Sequence, residues 1–367
     1  MKALVLGAAG HYGRMICEQL QRIPGVEVIA AGRNEAKVAA VASQLDIPHG
    51  YLDATDDRLT HLLEDWGINL VINATGPFQT LDPSVALHCI EARCYYVDIA
   101  DTRSYVKAIE RLNERAVANN VTILTGMGLA AVNCAVIEYM AAEFSKVEAI
   151  QMGYSSSGIV PGAASFNGAL SQCGLPVHQI EGGTAFTYTA MHGRNWRYFG
   201  RDFAKRGLIN ADAPEVEALK LRFNPSTVRF QKGYSAFPQN PLIWLAKLVK
   251  FGFLSSAAPF AGIVRKLARW VQPISGKKSG LFVDLEGRDY QDRQVERTFE
   301  IHFEQGGEEI LISPVIAYVK NLMQNDLVPP PGAYAGFRQP LVSVTDILEL
   351  LDPNHIYLHD TGIVQGR

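Results

Sequence analysis

Two aspartates, Asp98 and Asp101, follow the short apolar run Tyr95–Val97. Carboxyl groups placed there can transfer a proton or hold a substrate amine. The plainer alternative makes Asp98 a cap on the next turn and leaves Asp101 a structural residue. A second chemical signal lies at the N-terminus, in Gly7-Ala8-Ala9-Gly10-His11-Tyr12-Gly13. Glycines at this spacing let a backbone turn tightly and come close to a pyrophosphate, and a following helix offers the phosphates its unpaired N–H groups. Ala9, His11 and Tyr12 sit within that turn and are expected to touch the same group. The alternative is a tight turn that binds nothing. A third signal is Arg33, twenty residues after Gly13. Dinucleotide sites for NAD usually carry Asp or Glu there, whereas a guanidinium suits a ribose 2′-phosphate. The expected cofactor is therefore NADP(H) rather than NAD(H), with Asn34 beside Arg33 in the same site.

Two weaker signals complete the set. Asp53 either contacts the adenine amino group or is a plain turn residue. Ala74, Thr75 and Gly76 are small enough to let a cofactor pass, and Phe78 would then pack near the nicotinamide; an ordinary strand-capping turn is the alternative. Other chemistries find no support. None of the fourteen tyrosines has lysine four residues later, which removes the Tyr-x-x-x-Lys proton relay. No metal is expected: the nine histidines are scattered, no Cys-x-x-Cys occurs, and His355 and His359 fall in a segment that reads as a tail. Five cysteines without pairing pattern read as reduced thiols of a cytoplasmic protein. A formal net charge of −3 without charged blocks argues against nucleic acid. No apolar run is long enough to span a bilayer.

These residues need a scaffold that brings strand ends together, and the first 127 residues supply its pattern. Apolar runs at 3–6, 26–31, 49–52, 70–73, 95–98 and 121–125 alternate with amphipathic stretches at 10–23, 34–45, 57–66, 84–92 and 104–119. Strands separated by helices imply a parallel sheet covered on both faces. The expected fold class is α/β, with an N-terminal Rossmann doubly wound parallel sheet over 1–129 and a second α+β domain over 130–340. A C-terminal helix at 342–351, within a last segment 341–367, would pack back on the first domain.

With these residues in place, the sequence resembles the saccharopine dehydrogenase-like oxidoreductase family. The resemblance is carried by Gly7–Gly13, Ala31-Gly32-Arg33, Val71–Phe78, Tyr95–Asp101 and Pro329–Ala333. It covers 1–127 well and thins beyond. It implies an NAD(P)-binding domain, an α+β domain, a substrate cleft between them, and hydride transfer to or from a C=N or C=O group of a small molecule. Relatives that make saccharopine carry Gly-Leu-Asp-Pro-Gly after the sixth strand; here Gly126–Asn133 lacks that aspartate. Where many relatives have Gly-Glu after the fifth strand, this chain has Ala100-Asp101. Saccharopine itself is therefore not the expected substrate.

In the second half, 184–192 alternates like a strand, and 280–286 with 296–304 reads as an antiparallel hairpin. His192 and Arg194 follow the first of these, as surface residues or facing the substrate. Residues 240–270 are rich in Leu, Ile, Phe and Trp, with basic residues interspersed. They suit a buried helical pair or homodimer surface, a wall around an apolar substrate, or peripheral membrane contact. The functional alternatives to a small-molecule oxidoreductase are a non-catalytic dinucleotide-binding regulator and a reductase of a lipid-like substrate.

Overall fold

The computed structural model describes residues 1–160, 162–199, 205–234, 239–325 and 329–366. The chain forms two compact units, Met1–Val132 with Glu309–Leu350, and Asn133–Glu308 with Leu351–Arg367.

The first unit begins with strand–helix alternation: β1 Lys2–Leu6, α1 His11–Leu20, β2 Glu27–Gly32, α2 Glu35–Leu45, β3 His49–Tyr51 and α3 Leu59–Asp65. It continues with β4 Leu70–Asn73, α4 Ser84–Glu91, β5 Tyr95–Asp98, α5 Arg103–Glu110, α6 Asn113–Ala118 and β6 Thr122–Thr125. Every residue of β4 and β6 is buried, as expected of strands covered on both faces. α7, Leu129–Ala141, carries the chain into the second unit.

There the elements are β7 Lys146–Ser156, α8 Ala163–Gln172, β8 Pro176–Glu181, β9 Thr184–Thr189, β10 Arg194–Arg197 and β11 Arg206–Asn210. They are followed by α9 Glu215–Phe223, β12 Thr227–Tyr234, α10 Gln239–Lys250, α11 Ala261–Val271, β13 Ser279–Arg288 and β14 Gln294–Phe303. α12 Ser313–Asn325, β15 Gly332–Ala335 and α13 Val344–Leu348 return to the first unit, and β16 Ile356–Asp360 with β17 Val364–Gln365 end the chain in the second.

The first sheet has the order β15-β6-β5-β4-β1-β2-β3, and every pairing in it is parallel. Six strands follow the doubly wound Rossmann order, so the strand order reverses at β1 and β4. The seventh strand, β15, was not anticipated. Its residues follow Pro329-Pro330-Pro331, and their pairing with β6 makes them a strand. The Thr122 hydroxyl holds the lead-in by donating to the Pro329 carbonyl, 2.9 Å away. The single helix expected at 104–119 is two helices, α5 and α6. The second helix starts at Asn113, whose side chain accepts from the Ala333 N–H of β15 at 3.0 Å.

The second sheet runs β10-β11-β12-β7-β13-β14-β16, with β8, β9 and β17 off this path. Only β12 and β7 pair in parallel among the described pairs. The expected hairpin is present, in register from Ser279↔Phe303 to Arg288↔Gln294. Its turn is organised by Asp289, which accepts from the Gln291 and Arg293 N–H groups. The segment 341–367, read as a helix and tail, is instead divided. α13 belongs to the first unit, while β16 and β17 pair with β14. His355 and His359 therefore flank and occupy a strand rather than sharing a helix face.

Candidate cofactor site

The site is built where the strand order reverses. β1 ends at Leu6 and β4 at Asn73, and the two ends are joined by the Ala74 N–H donating to the Leu6 carbonyl at 2.9 Å. Gly7 then turns with φ +83°, a conformation that glycine adopts without penalty. Its backbone runs so near the β4 end that a Cβ there would lie 2.9 Å from the Ala74 oxygen. Gly13 lies on the first turns of α1, and a Cβ there would sit 2.1 Å from the Gly7 carbonyl oxygen. Gly10 is the residue before α1 and caps it with backbone alone. The result is a narrow backbone cradle at the N-terminus of a ten-residue helix, with no side-chain volume at its closest contacts. Such a cradle suits a pyrophosphate. Ala9 and His11 are exposed on it, and the His11 and Tyr12 rings make an edge contact with centroids 5.2 Å apart.

Arg33 lies immediately past β2. It is exposed and makes no hydrogen bond or ion pair among the described residues. Asn34, expected to contact the cofactor, is the cap of α2: its side-chain oxygen accepts from the Lys37 N–H at 3.0 Å. That leaves Lys37 exposed one turn along from Arg33, a second cation that the sequence reading passed over. The Arg-x-x-x-Lys spacing at a helix start was the available signal. Asp53 organises its own turn, accepting from both the N–H and hydroxyl of Thr55 at 3.1 and 3.0 Å.

Beyond β4, Ala74, Thr75 and Gly76 form a half-exposed rim beside Gly7. Thr75 is fixed by donating its N–H and hydroxyl to the Asn73 side-chain oxygen. Phe78, expected against a nicotinamide, is only 8% exposed and packs edge-on to Tyr105 with centroids 5.0 Å apart.

Asp98 has no exposed surface. One carboxylate oxygen accepts from the Ala100 N–H, the Thr125 hydroxyl and the Gly126 N–H at 2.8 to 3.0 Å. The other accepts from the Tyr96 hydroxyl at 2.9 Å, which also bonds Tyr105 and receives the Asn73 amide at 3.1 Å. Burial pushes the Asp98 carboxyl up to about 6 and pushes both tyrosines well above their usual range, so the phenols stay protonated. In this arrangement Asp98 ties the ends of β5 and β6 together. Asp101 differs: it is exposed and accepts from Gln79 and from the Thr102 hydroxyl, each at 3.3 Å. In the second unit, Arg194 donates to the Asn240 side chain at 2.7 Å and His192 is half-buried. All five cysteines are buried, and none forms a disulfide among the described residues. Among the described residues, no group of three His, Cys, Asp or Glu is placed to hold a metal.

Known proteins resemble the chain in its first domain and in its fold. Residues 3–124 match the family model described as the saccharopine dehydrogenase NADP binding domain. No curated protein matches the chain by sequence. Among solved structures, saccharopine dehydrogenase (L-Glu forming) from Saccharomyces cerevisiae superposes with a TM-score of 0.69 at 14% identity, covering 99% of both chains. The homospermidine synthase of Legionella pneumophila, solved with NAD, gives 0.59 at 13% identity over 98% of this chain and 91% of that one. Residues 3–124 thus match the saccharopine dehydrogenase NADP binding domain, and the whole chain shares its fold with these two solved structures.

Proposed function

We propose that the protein is an NADP-dependent oxidoreductase acting on a C=N or C=O group of a small molecule other than saccharopine. The observation that carries the NADP preference is Arg33, an exposed guanidinium at the β2 end that makes no hydrogen bond or ion pair among the described residues, with Lys37 nearby in sequence. A bound nicotinamide would supply or accept the hydride. The Gly7–Gly13 cradle would hold the pyrophosphate, Arg33 the 2′-phosphate, and the Ala74–Gly76 rim would border the second half of the cofactor. Asp101, exposed just past β5, is the carboxylate we assign to proton transfer or to binding a substrate amine. Asp98 is the positioning residue behind it. Five buried cysteines with no disulfide among the described residues support a reducing compartment, the cytoplasm.

Titration with NADPH and NADH, followed by nicotinamide fluorescence, tests the reading on wild type and Arg33→Ala. The expected result is tighter binding of NADPH, weakened about 10- to 100-fold by the substitution, the equivalent of one charge-assisted contact, with NADH unchanged. Equal loss for both nucleotides would remove Arg33 from the 2′-phosphate. Failure of either nucleotide to bind would sink the oxidoreductase reading itself. With a substrate found by screening imines and carbonyl compounds, Asp101→Asn is expected to lower kcat/KM by about 100-fold or more while sparing NADPH affinity. Unchanged turnover would discard Asp101.

A further inference from the structure

Residues 218–283 contain eleven lysines and arginines and no aspartate or glutamate, in a chain whose net charge is −3. Within that stretch α10 and α11 each bury one face. Leu242 and Ala246 of α10, and Ala261, Val264 and Ala268 of α11, enter one cluster with Leu170 of α8. An amphipathic helix so packed normally turns polar residues outward. These two do not.

On α11, Ile263, Leu267 and Trp270 recur at spacings of four and three, with Ile274 four further on, and are 61, 53, 87 and 86% exposed. They form a second apolar stripe, on different positions from the buried one. On α10, Trp244 and Leu248 lead at the same spacing to Phe251, and Phe253 follows at 76% exposure. Cations lie among these side chains. The Lys247 ammonium is 5.4 Å from the Trp244 ring centre, and that of Lys250 is 5.9 Å from Phe251. Lys266 and Arg269 are exposed on α11 beside Leu267 and Trp270.

An apolar surface of this kind needs cover. A second copy of the chain would set the seven cations of residues 239–278 against seven more, with no carboxylate in that segment to pair them. An anionic lipid surface meets both demands at once. Acyl chains and the interfacial zone take Trp, Phe, Ile and Leu, and phosphate headgroups take Lys and Arg. No helix among the described residues is long and apolar enough to cross a membrane, so the contact is interfacial. We propose that α10, α11 and the loop between them form a peripheral docking surface for an anionic bilayer, with Trp244, Phe251, Phe253, Trp270 and Ile274 as its inserting side chains.

The test uses the full chain with vesicles of phosphatidylcholine alone and of phosphatidylcholine containing phosphatidylglycerol. Cosedimentation is expected to be at least about 10-fold stronger with the anionic vesicles, to weaken with salt, and to shift tryptophan emission to the blue. The double substitution Trp270→Glu with Ile274→Glu should reduce binding about 10-fold or more. Lys266→Ala with Arg269→Ala should reduce it similarly and flatten the salt dependence. All four positions are exposed, so thermal stability and NADPH affinity should stay at wild-type values; NADPH affinity also keeps this test separate from the cofactor reading. Absence of binding to either vesicle would overturn the proposal, as would equal binding to both. A concentration-dependent dimer that Trp270→Glu dissociates, without vesicle binding, would assign the surface to a second copy instead.

Discussion

Gly13→Ala is expected to weaken NADPH binding by about 100-fold or more, the largest loss from any single methyl group in the cradle. The added Cβ would lie 2.1 Å from the Gly7 carbonyl oxygen and 2.6 Å from its carbon. Both are backbone atoms, so no side chain can swing aside. Relief requires the turn to part from α1, which moves the N–H groups away from the phosphates. Two lost charge-assisted hydrogen bonds, at roughly 1.5–3 kcal/mol each, are enough to give that factor. Gly10→Ala provides a graded control. Its Cβ would approach the Gly7 oxygen only to 3.0 Å, and Gly10 already has ordinary extended backbone angles. A loss of well under 10-fold is expected there. Nucleotide titration beside circular dichroism and thermal melts separates binding from folding. Wild-type NADPH affinity in a folded Gly13→Ala protein would show that phosphates do not lie on this turn.

The same cradle explains what could be read from the residues alone. Gly7, Gly10, Gly13 and Arg33 belong to one strand–turn–helix–strand unit, whose chemistry is local and so survives as spacing. Strands β1, β2, β4, β5 and β6 were legible for a similar reason, being largely buried apolar runs followed by helices, whereas β3, at the sheet edge, is largely exposed and gave a weaker pattern. Long-range features were not legible. β15 is a strand because β6 offers it an edge more than 200 residues away in sequence, and β16 lies on β14 in a segment that reads as a tail. α9 was passed over because its pattern puts a charge at a buried position. Glu215 is buried against the Asn133 amide, which donates to it at 2.7 Å. Asp98 illustrates the limit at the site. Its place after a strand left proton transfer, binding of a substrate amine and capping all open, and the four donors around it are visible only in the folded chain.

Those four donors set the size of the expected effect of Asp98→Ala, a loss of about 3–5 kcal/mol of stability in urea unfolding. The substitution leaves two backbone N–H groups and two hydroxyls without their acceptor in a fully buried place. Asp98→Asn is informative about charge. Its side-chain oxygen can still accept from Ala100, Thr125 and Gly126, but its amide has to face the Tyr96 hydroxyl, which already receives the Asn73 amide. The pH dependence follows from the direction of the carboxyl shift. Burial raises Asp98 from the usual carboxylate value of 3.8 to about 6, so between these values the folded protein holds a proton that the unfolded chain has released. Its contribution to stability is therefore fully present below about pH 4 and is lost as pH rises through about 6, a change on the order of 3 kcal/mol for a shift of this size. The asparagine variant cannot titrate. Its stability relative to wild type should accordingly improve between pH 4 and pH 6 and level off above. If urea midpoints of the two proteins run parallel across that range, the Asp98 carboxyl is ionised throughout, and its four donors outweigh its burial.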